Sequence, residues 1–383
     1  MFAERSPSVV TTRAVAEASG CSHGMIAALF GGKPGLERAV SDLLANTIDA
    51  AIERFFASSA LPFAELLRMR HDDPLAARLL VRFGLGDLER GSTIPGRAIG
   101  ERLVARIEEA RGGSARRPTQ RSRIAAHSVL CTVLGTYTFD AFNLRASRSH
   151  ELDAEVRDVA LVEALELVAG LAADESVGLR VQRQRDPVAL PSVPREPAHG
   201  RIELRDALIN ATIELFTARG PSSISVREIS ERAGVPHGLI HRYFGTKDAL
   251  LNAAIDRLAR PVTTGMVGPD GVSIEALVRL QTRSANPWII ARLTADGIDV
   301  TATRTSYPLF DAVLGTFPEV PSGTGPGDLS DPRLAVYALA SLVSGVAVWD
   351  RPVRRLVGLP PADEASLDLV LTRFCQRFLD AAR

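Results

Sequence analysis

An internal repeat constrains the fold of this chain more than any other feature of its sequence. The 383 residues include only two lysines, Lys33 and Lys247, and each closes a Phe-Gly-x-Lys tetrapeptide. The two lysines lie 214 positions apart, and the same offset aligns His23 with His237. Roughly a third of the surrounding window is identical without a gap. A repeat of this length indicates two similar domains of about 180 residues each.

The repeat extends beyond this window at slightly smaller offsets. The pairs that indicate the extension are Asp73-Pro74 with Asn286-Pro287, Gly135 with Gly345, and Phe139-Asp140 with Trp349-Asp350. Helical spacing dominates, and alternating strand patterns are nearly absent, so we predict an all-α protein. The predicted segments are a degenerate head at 1–45, a helical domain at 46–185, a Pro-rich linker at 186–200, an intact head at 201–254 and a second helical domain at 255–383.

The composition excludes several classes of protein. The formal net charge is zero, so any nucleic-acid surface has to be local. Three widely spaced cysteines predict neither a disulfide framework nor a zinc site, which is typical of a reducing cytoplasm. The longest apolar run, 334–349, is shorter than the ~20 residues of a membrane span. We therefore expect a cytoplasmic protein with no membrane partner, metal or cofactor.

Residues 201–254 carry the clearest local signals. Apolar residues at helical spacing predict a first helix that ends at Gly220. Ser225 and Glu228 form a capping-box pattern for a short helix over 226–233. Gly234 permits a tight turn before a third helix that ends at Phe244. Two short helices joined by a glycine turn and braced by a longer helix predict a helix-turn-helix unit.

The third helix has the side chains of a DNA-contacting element. We expect His237, Gly238, His241, Arg242 and Tyr243 to be exposed on it. Gly238 costs ~1 kcal/mol of helix propensity, which close approach to DNA would justify. The alternative is a frayed, solvated helix.

Lys247 indicates an anion site of its own. Thr246 is the expected N-cap of the next helix, which places Lys247 in the first turn, where the helix dipole disfavours a cation. A bound DNA phosphate would resolve this conflict. A local salt bridge to Asp248 is the alternative, worth ~0.5 kcal/mol.

Residues 234–250 resemble the DNA-binding signature of TetR-family transcriptional regulators. The turn glycine, the central helix glycine, the aromatic pair, the lysine and the last leucine are in register at Gly234, Gly238, Tyr243-Phe244, Lys247 and Leu250. The resemblance implies an all-helical fold with a three-helix head, a ligand cavity and a dimer-forming helix pair. It implies phosphate contacts from Ser225, Tyr243 and Lys247, and base contacts from Pro236 through His241. An aromatic residue is more usual at His241, so base preference stays open.

The first head appears in the sequence as a damaged copy of the second. By the 214 offset, the chain begins at the last turn of the expected first helix, so we predict that Val10, Val15 and Ile26 lose a packing partner and that the first head is loosely held. Ala27, Ala28 and Leu29 replace His241, Arg242 and Tyr243. We therefore expect little or no DNA binding by the first head. An upstream start codon would restore the missing helix without restoring this surface.

Each half ends with two strong helix candidates. They cover 121–144 and 151–172 in the first half, and 332–349 and 361–382 in the second. The TetR resemblance implies that such pairs form a four-helix dimer interface. A chain with both pairs can build this bundle as an intramolecular pseudo-dimer, or two chains can form a homodimer.

The sequence predicts a ligand-responsive regulator of transcription, and specifically a repressor that binds a double-stranded DNA operator and a small apolar effector. Arg283, Trp288, Tyr307 and Phe310 are the candidate effector contacts, although such residues more often belong to a core. The alternative is a non-enzymatic ligand- or partner-binding protein that has lost productive DNA binding. We expect no enzymatic activity, because we find no catalytic constellation.

Overall fold

The structure is a computed structural model, and it describes most of the chain. The described residues are 2, 10–57, 63–90, 97–171, 201–219, 224–264, 267–268, 271–284, 286–301, 307–320, 327–360 and 364–383. The predicted Pro-rich linker at 186–200 and the predicted helix end at Gly220 lie outside these residues.

The first half contains eight α-helices in its described residues. They are α1 (Thr12–Ala18), α2 (His23–Phe30), α3 (Lys33–Ala57), α4 (Phe63–Asp72), α5 (Pro74–Arg90), α6 (Arg97–Ala110), α7 (Gln120–Ala146) and α8 (Ala154–Leu171). A short 3-10 helix, Ser149–Glu151, lies between α7 and α8.

The second half contains nine α-helices and one small hairpin in its described residues. The helices are α9 (Arg201–Arg219), α10 (Val226–Ala233), α11 (Gly238–Phe244), α12 (Lys247–Thr264), α13 (Ile274–Arg283), α14 (Asn286–Ala295), α15 (Pro308–Leu314), α16 (Pro332–Val357) and α17 (Glu364–Ala381). Two strands of two residues each, β1 (Val267–Gly268) and β2 (Gly271–Val272), pair antiparallel with Val267 opposite Val272. This hairpin is a minor departure from the predicted all-α fold.

The two halves present their helices in the same order. Adding 214 to the first residues of α1, α2 and α3 gives positions within one residue of the starts of α10, α11 and α12. Five further helices follow in each half, and offsets of 210 to 212 relate their first residues. Among the described residues, α9 has no counterpart ahead of α1. The helix layout therefore follows the sequence repeat along most of the chain.

The two halves meet where α7 crosses α16. Gly135 and Gly345 lie at the crossing, where a Cβ atom on either glycine would overlap the backbone of the opposite helix. Glycine at both positions lets the two backbones approach closely. With α8 and α17 packed against them, the two long helices form a four-helix bundle, and the main hydrophobic core includes residues of both halves.

Helix α16 is longer than the sequence predicted. It continues through Pro352 to Val357 and ends at Gly358, which adopts a left-handed conformation (φ 66°). Proline removes a helical hydrogen bond, but it is buried here with the apolar residues around it. By length and composition this 26-residue helix could span a membrane, so the prediction that its apolar segment is too short to do so was wrong. However, 89% of its most apolar window is buried within the protein, which identifies a core helix.

The first head has a small core of its own. Val10, Ile26 and Leu36 are buried in it, and α5 contributes Leu79 and Phe83. Val15 is partly buried against the same core, so the prediction that Val10, Val15 and Ile26 would lack a packing partner is wrong. Side chains of α5 supply apolar contacts to this core.

Candidate DNA-binding site and ligand cavity

The first turn of α10 is fixed by a complete capping box. The Ser225 hydroxyl accepts a hydrogen bond from the Glu228 backbone N–H at 3.1 Å. The Glu228 carboxylate in turn accepts from the Ser225 backbone N–H at 2.8 Å. This reciprocal pair satisfies two of the free N–H groups at the start of the helix. The predicted cap is confirmed, and it places Ser225 at an exposed helix N-terminus.

The turn between α10 and α11 is built as the sequence predicted. Gly234 has a φ of 69°, which an L-residue rarely adopts. Val235 follows it into the core, where Ile229 of α10 and Ile240 of α11 are also buried. These contacts fix the angle between the two short helices, so α11 projects a defined face outward.

That outer face carries the side chains expected to contact DNA. Pro236, His237, Gly238, His241 and Arg242 are exposed. The rings of His237 and His241 lie 6.0 Å apart, so the two histidines share one side of the helix. His241 Nδ1 lies 3.0 Å from the Gly245 carbonyl oxygen, to which it donates when it carries the proton.

Gly238 and Tyr243 differ in how they contribute to this face of α11. A Cβ atom at Gly238 would have no heavy atom within 4 Å, so nothing in the protein itself requires glycine there. The open space leaves room for another molecule to approach the helix backbone. Tyr243 is only partly exposed, because its ring packs against the hydrophobic core.

Lys247 begins α12, as predicted, but its side chain makes a contact that the sequence did not indicate. Its ammonium donates to the Ile224 carbonyl oxygen at 2.5 Å, which ties the start of α12 to the residue before Ser225. Burial lowers the pKa of Lys247, while the carboxylates of Asp248, Asp296 and Glu228 act in the opposite direction. Thr246 is the helix cap, as predicted, and accepts from the Ala249 N–H at 3.1 Å. The structure thus brings Ser225 and Lys247 to one edge of the head.

Arg205 is a member of this surface that the sequence analysis missed. Its guanidinium carbon lies 5.2 Å from the centre of the Phe244 ring, in a cation–π arrangement. Arg205 is exposed on α9, so a second arginine lies beside the C-terminal end of α11. No motif marks it, because only the packing of α9 on the other helices brings it to Phe244.

The corresponding surface of the first head is apolar. Met25 and Leu29 on α2 are 49% and 70% exposed, and Ala27 and Ala28 lie between them. Lys33 lies 3.9 Å from the Glu37 carboxylate on the same helix. His23 is exposed at the position that aligns with His237, but the side chains of His241, Arg242 and Tyr243 have no equivalents on α2.

Two of the four predicted effector contacts line one cavity. Arg283 and Trp288 border a cavity of about 430 Å³ together with Ala347, Asp350 and Asp368. The Arg283 guanidinium is 2.8 Å from the buried Asp368 carboxylate. The cavity is open to solvent on the Arg283 side, where that side chain is 46% exposed.

Tyr307 and Phe310 do not belong to the lining of this cavity. Their rings pack edge-on against Phe142 of α7, with ring centres 5.5 and 6.0 Å away. Both residues instead join α15 to the first half of the chain. The assignment of Tyr307 and Phe310 as effector contacts stays a prediction, and their packing is that of core residues, the alternative named above.

The equivalent region of the first half is filled by its own side chains. Arg70 is 7% exposed and forms ion pairs with Asp140, at 3.2 Å, and with Asp158. Tyr137 stands 210 positions before Ala347, and its hydroxyl donates to the Leu66 carbonyl. A large, partly buried ring thus stands at the position that Ala347 leaves open in the second half.

A family model and several curated proteins match this chain. The model described as bacterial regulatory proteins, tetR family, matches residues 208–254, which include α10 and α11. The HTH-type transcriptional repressor Rv3405c of Mycobacterium tuberculosis is 31% identical over 192 residues. That alignment covers 49% of this chain and 94% of the relative.

Two further relatives are also HTH-type transcriptional regulators. The HTH-type transcriptional regulator Mb3439c of Mycobacterium bovis is 31% identical over 192 residues, again 49% of this chain and 94% of the relative. The HTH-type transcriptional regulator BetI of Stenotrophomonas maltophilia is 39% identical over 56 residues, which are 15% of this chain and 29% of that protein. Nearly the whole of each mycobacterial relative thus corresponds to about half of this chain.

Proposed function

Because this chain belongs to the TetR family of transcriptional regulators, we propose that it binds an operator in double-stranded DNA mainly through its second head, α9 to α12, and that it acts as a repressor. Repression is proposed because one relative is named a repressor. The residues that carry DNA binding are Ser225, Pro236, His237, Gly238, His241, Arg242, Tyr243 and Lys247.

The observation that carries this proposal is the exposed polar face of α11. His237, His241 and Arg242 are exposed on a helix that the turn at Gly234 holds away from the body. Such side chains donate hydrogen bonds to base edges and phosphates in the major groove. Lys has three N–H donors, so the Lys247 ammonium can keep its hydrogen bond to the Ile224 carbonyl oxygen and also contact a phosphate near Ser225.

We propose that the chain is two TetR-like repeats that form a pseudo-dimer. The shared helix order, the α7–α16 crossing and the alignment of whole relatives with half of this chain support this arrangement. One chain then brings one working head to DNA and protects one half-site. A symmetric pair of working heads would instead protect half-sites about one helical turn, ~34 Å, apart.

The proposed regulation uses the cavity beside Trp288. A small, largely apolar effector bound there would contact α13, α14, α16 and α17, while α14 also packs against α12 of the head. An effector that binds better to one orientation of α12 shifts the population toward that orientation. We place this regulator in the cytoplasm, where operator DNA is, and assign it no enzymatic activity.

The apolar face of the first head favours one alternative. Exposed Met25 and Leu29 are typical of a protein contact rather than a phosphate contact. On this hypothesis the chain is a ligand- or partner-binding protein that has lost productive DNA binding.

Footprinting on the DNA upstream of the chain's own gene, at several salt concentrations, separates the two functions. We expect protection of one short, asymmetric site, with an affinity that falls steeply as salt rises. Protection of a palindrome would contradict the single working head. No protection at any salt concentration would favour the partner-binding alternative.

A further inference from the structure

The contact between α7 and α16 follows an approximate twofold axis. Gly135 and Gly345 are 210 positions apart, and so are Cys131 and Ser341. A Cβ atom on Gly135 would overlap the Ser341 carbonyl oxygen, and one on Gly345 would overlap the Cys131 carbonyl oxygen. The contact is therefore reciprocal, as in a symmetric homodimer, although both helices belong to one chain.

The side chains across this axis do not repeat with the backbone. Trp349 Nε1 donates a hydrogen bond to Thr138 Oγ1 at 3.0 Å, and both residues are buried. The Thr138 hydroxyl can accept this bond because it donates its own proton to the Leu134 carbonyl. At the positions that the 210 offset relates to this pair stand Phe139 and Val348, whose side chains carry no polar atom.

A second pair shows the same asymmetry. Asn143 Nδ2 donates to Ser341 Oγ at 3.4 Å, and both residues are fully buried. The related positions hold Val353 and Cys131, which are also buried and carry neither nitrogen nor oxygen in their side chains. Polar groups thus meet on one side of the axis, and apolar groups are found on the other.

The Trp349 and Asn143 N–H donors find these acceptors only when α7 meets α16. If two copies of α16 met in the same geometry, each Trp349 would lie against Val348 of the other copy. Both indole N–H groups would then be buried without an acceptor, which is costly because they have given up hydrogen bonds to water. If two copies of α7 met, each Asn143 amide would lie against the thiol of Cys131. Asp140 accepts a hydrogen bond from Tyr337, and Asp350 contacts His127, two pairs that the 210 offset relates. Because each carboxylate has a polar partner across the axis, this pair of contacts does not favour α7 with α16 over two copies of one helix.

We infer that the α16 face is specified for α7 of its own chain and rejects a second copy of itself. The inner bundle is thus a heterotypic interface, and the second half does not use α16 to form a conventional homodimer with another chain. This inference concerns the pseudo-dimer of the proposed function, but it does not depend on DNA binding.

A double-mutant cycle on the full-length chain tests the match. Thr138→Val removes the acceptor at nearly constant volume, and Trp349→Phe removes the donor. We expect Thr138→Val alone to lower the midpoint of thermal unfolding by several degrees, and Trp349→Phe to reduce that penalty when the two are combined. The double variant then resembles the natural Phe139–Val348 side of the axis. Thr138→Ser, which keeps the hydroxyl, should stay close to the wild type.

Two further measurements decide whether the match forms within one chain. The unfolding midpoints of the wild type and of each variant should not change over a 100-fold range of protein concentration, because an intramolecular interface has no concentration dependence. Val348→Thr is the matched control: it introduces a hydroxyl at the related position, where Phe139 has no donor, and should show no favourable coupling with Trp349→Phe.

Strictly additive effects of Thr138→Val and Trp349→Phe would overturn the inference, as would a midpoint that rises with concentration. If Thr138→Val alone fails to fold, the inference requires that adding Trp349→Phe restores a folded chain, and a double variant that stays unfolded would overturn it. Loss of operator binding would contradict the proposed function and leave these results unchanged.

Discussion

The two heads show how one backbone layout can support different surfaces. Helix α2 and helix α11 occupy equivalent places after a capped short helix and a glycine turn with positive φ, at Gly20 and Gly234. Thr11 still caps α1 through the Ala14 N–H at 3.1 Å, although Ala14 has no carboxylate to complete the box. What differs is the outer face, which is polar on α11 and apolar on α2. The scaffold and the binding surface therefore vary independently.

The helical domains differ in a complementary way. In the first, Arg70 is buried among carboxylates, and Tyr137 fills the space beside it. In the second, Arg283 is half exposed, and Ala347 leaves a cavity. Internal polar contacts surround Arg70 in the first half, whereas the second half has an open cavity at the equivalent place and a polar head.

The largest expected effect comes from replacing the buried Arg70. Arg70→Met should lower the free energy of unfolding by about 3 kcal/mol, because it leaves the Asp140 and Asp158 carboxylates without their shared cation. Arg283→Met should cost about 1 kcal/mol, since that side chain is half exposed. Urea unfolding of both variants measures the difference. Equal losses would show that the two halves are not specialised in this way.

The next prediction compares the outer faces of α11 and α2. Arg242→Ala combined with Tyr243→Ala should weaken specific operator binding by roughly 100-fold or more, because a base or phosphate contact and its supporting ring are both lost. The matched variant of the first head is Leu29→Ala, which should leave binding within about twofold. Fluorescence anisotropy with the footprinted DNA measures both. A comparable loss from Leu29→Ala would mean that the first head also contacts DNA.

The two lysines give a smaller and sharper comparison. Lys247→Ala should weaken operator binding by about tenfold and reduce the slope of log affinity against log salt by about one, if its ammonium contacts a phosphate. Lys33→Ala should change neither quantity, because α2 presents no partner surface for DNA. A loss of affinity with an unchanged slope would instead show that Lys247 acts only through Ile224, by positioning Ser225.

Local sequence signals predicted the head well because they act over a few residues. The capping box at Ser225, the turn at Gly234 and the start of α12 at Lys247 were all placed correctly. Each depends on backbone hydrogen bonds or dihedral angles within one or two turns. Gly135 and Gly345 were aligned from the sequence as well, but their contact with each other was visible only in the structure.

Features that depend on distant contacts were predicted less well. The sequence analysis ended α16 at 349, but the helix continues through Pro352 to Val357, where Pro352 itself is buried. Tyr307 and Phe310 were named as candidate cavity residues, and their rings pack on Phe142, more than 160 positions away. The role of Lys247 as a tie to Ile224 was also missed. None of these contacts leaves a pattern in the neighbouring sequence.

The smallest expected effect concerns the Asp350 carboxylate on α16. Asp350 accepts hydrogen bonds from His127 at 2.8 Å and from Arg354 at 2.6 Å. Burial acts to raise the pKa of Asp350, but the hydrogen bond and charge of His127, together with Arg354, outweigh it and leave the pKa below its ordinary value. A carboxyl group with a lowered pKa in the folded state stabilises the fold above its unfolded pKa, about 3.9.

Asp350→Asn should therefore lower the free energy of unfolding by about 1 kcal/mol at pH 7, where the carboxylate is charged. The difference from the wild type should persist down to about pH 4 and shrink below it, as the wild-type carboxyl group becomes protonated. Asp380→Asn, at an exposed position on α17, is the control and should change little at any pH. Urea unfolding between pH 2 and 7 measures both. If the difference in free energy of unfolding between Asp350→Asn and the wild type is constant from pH 2 to 7, the His127–Asp350 contact contributes by packing rather than by charge. The contacts around Asp140 and Asp350 would then differ less than their polar partners indicate.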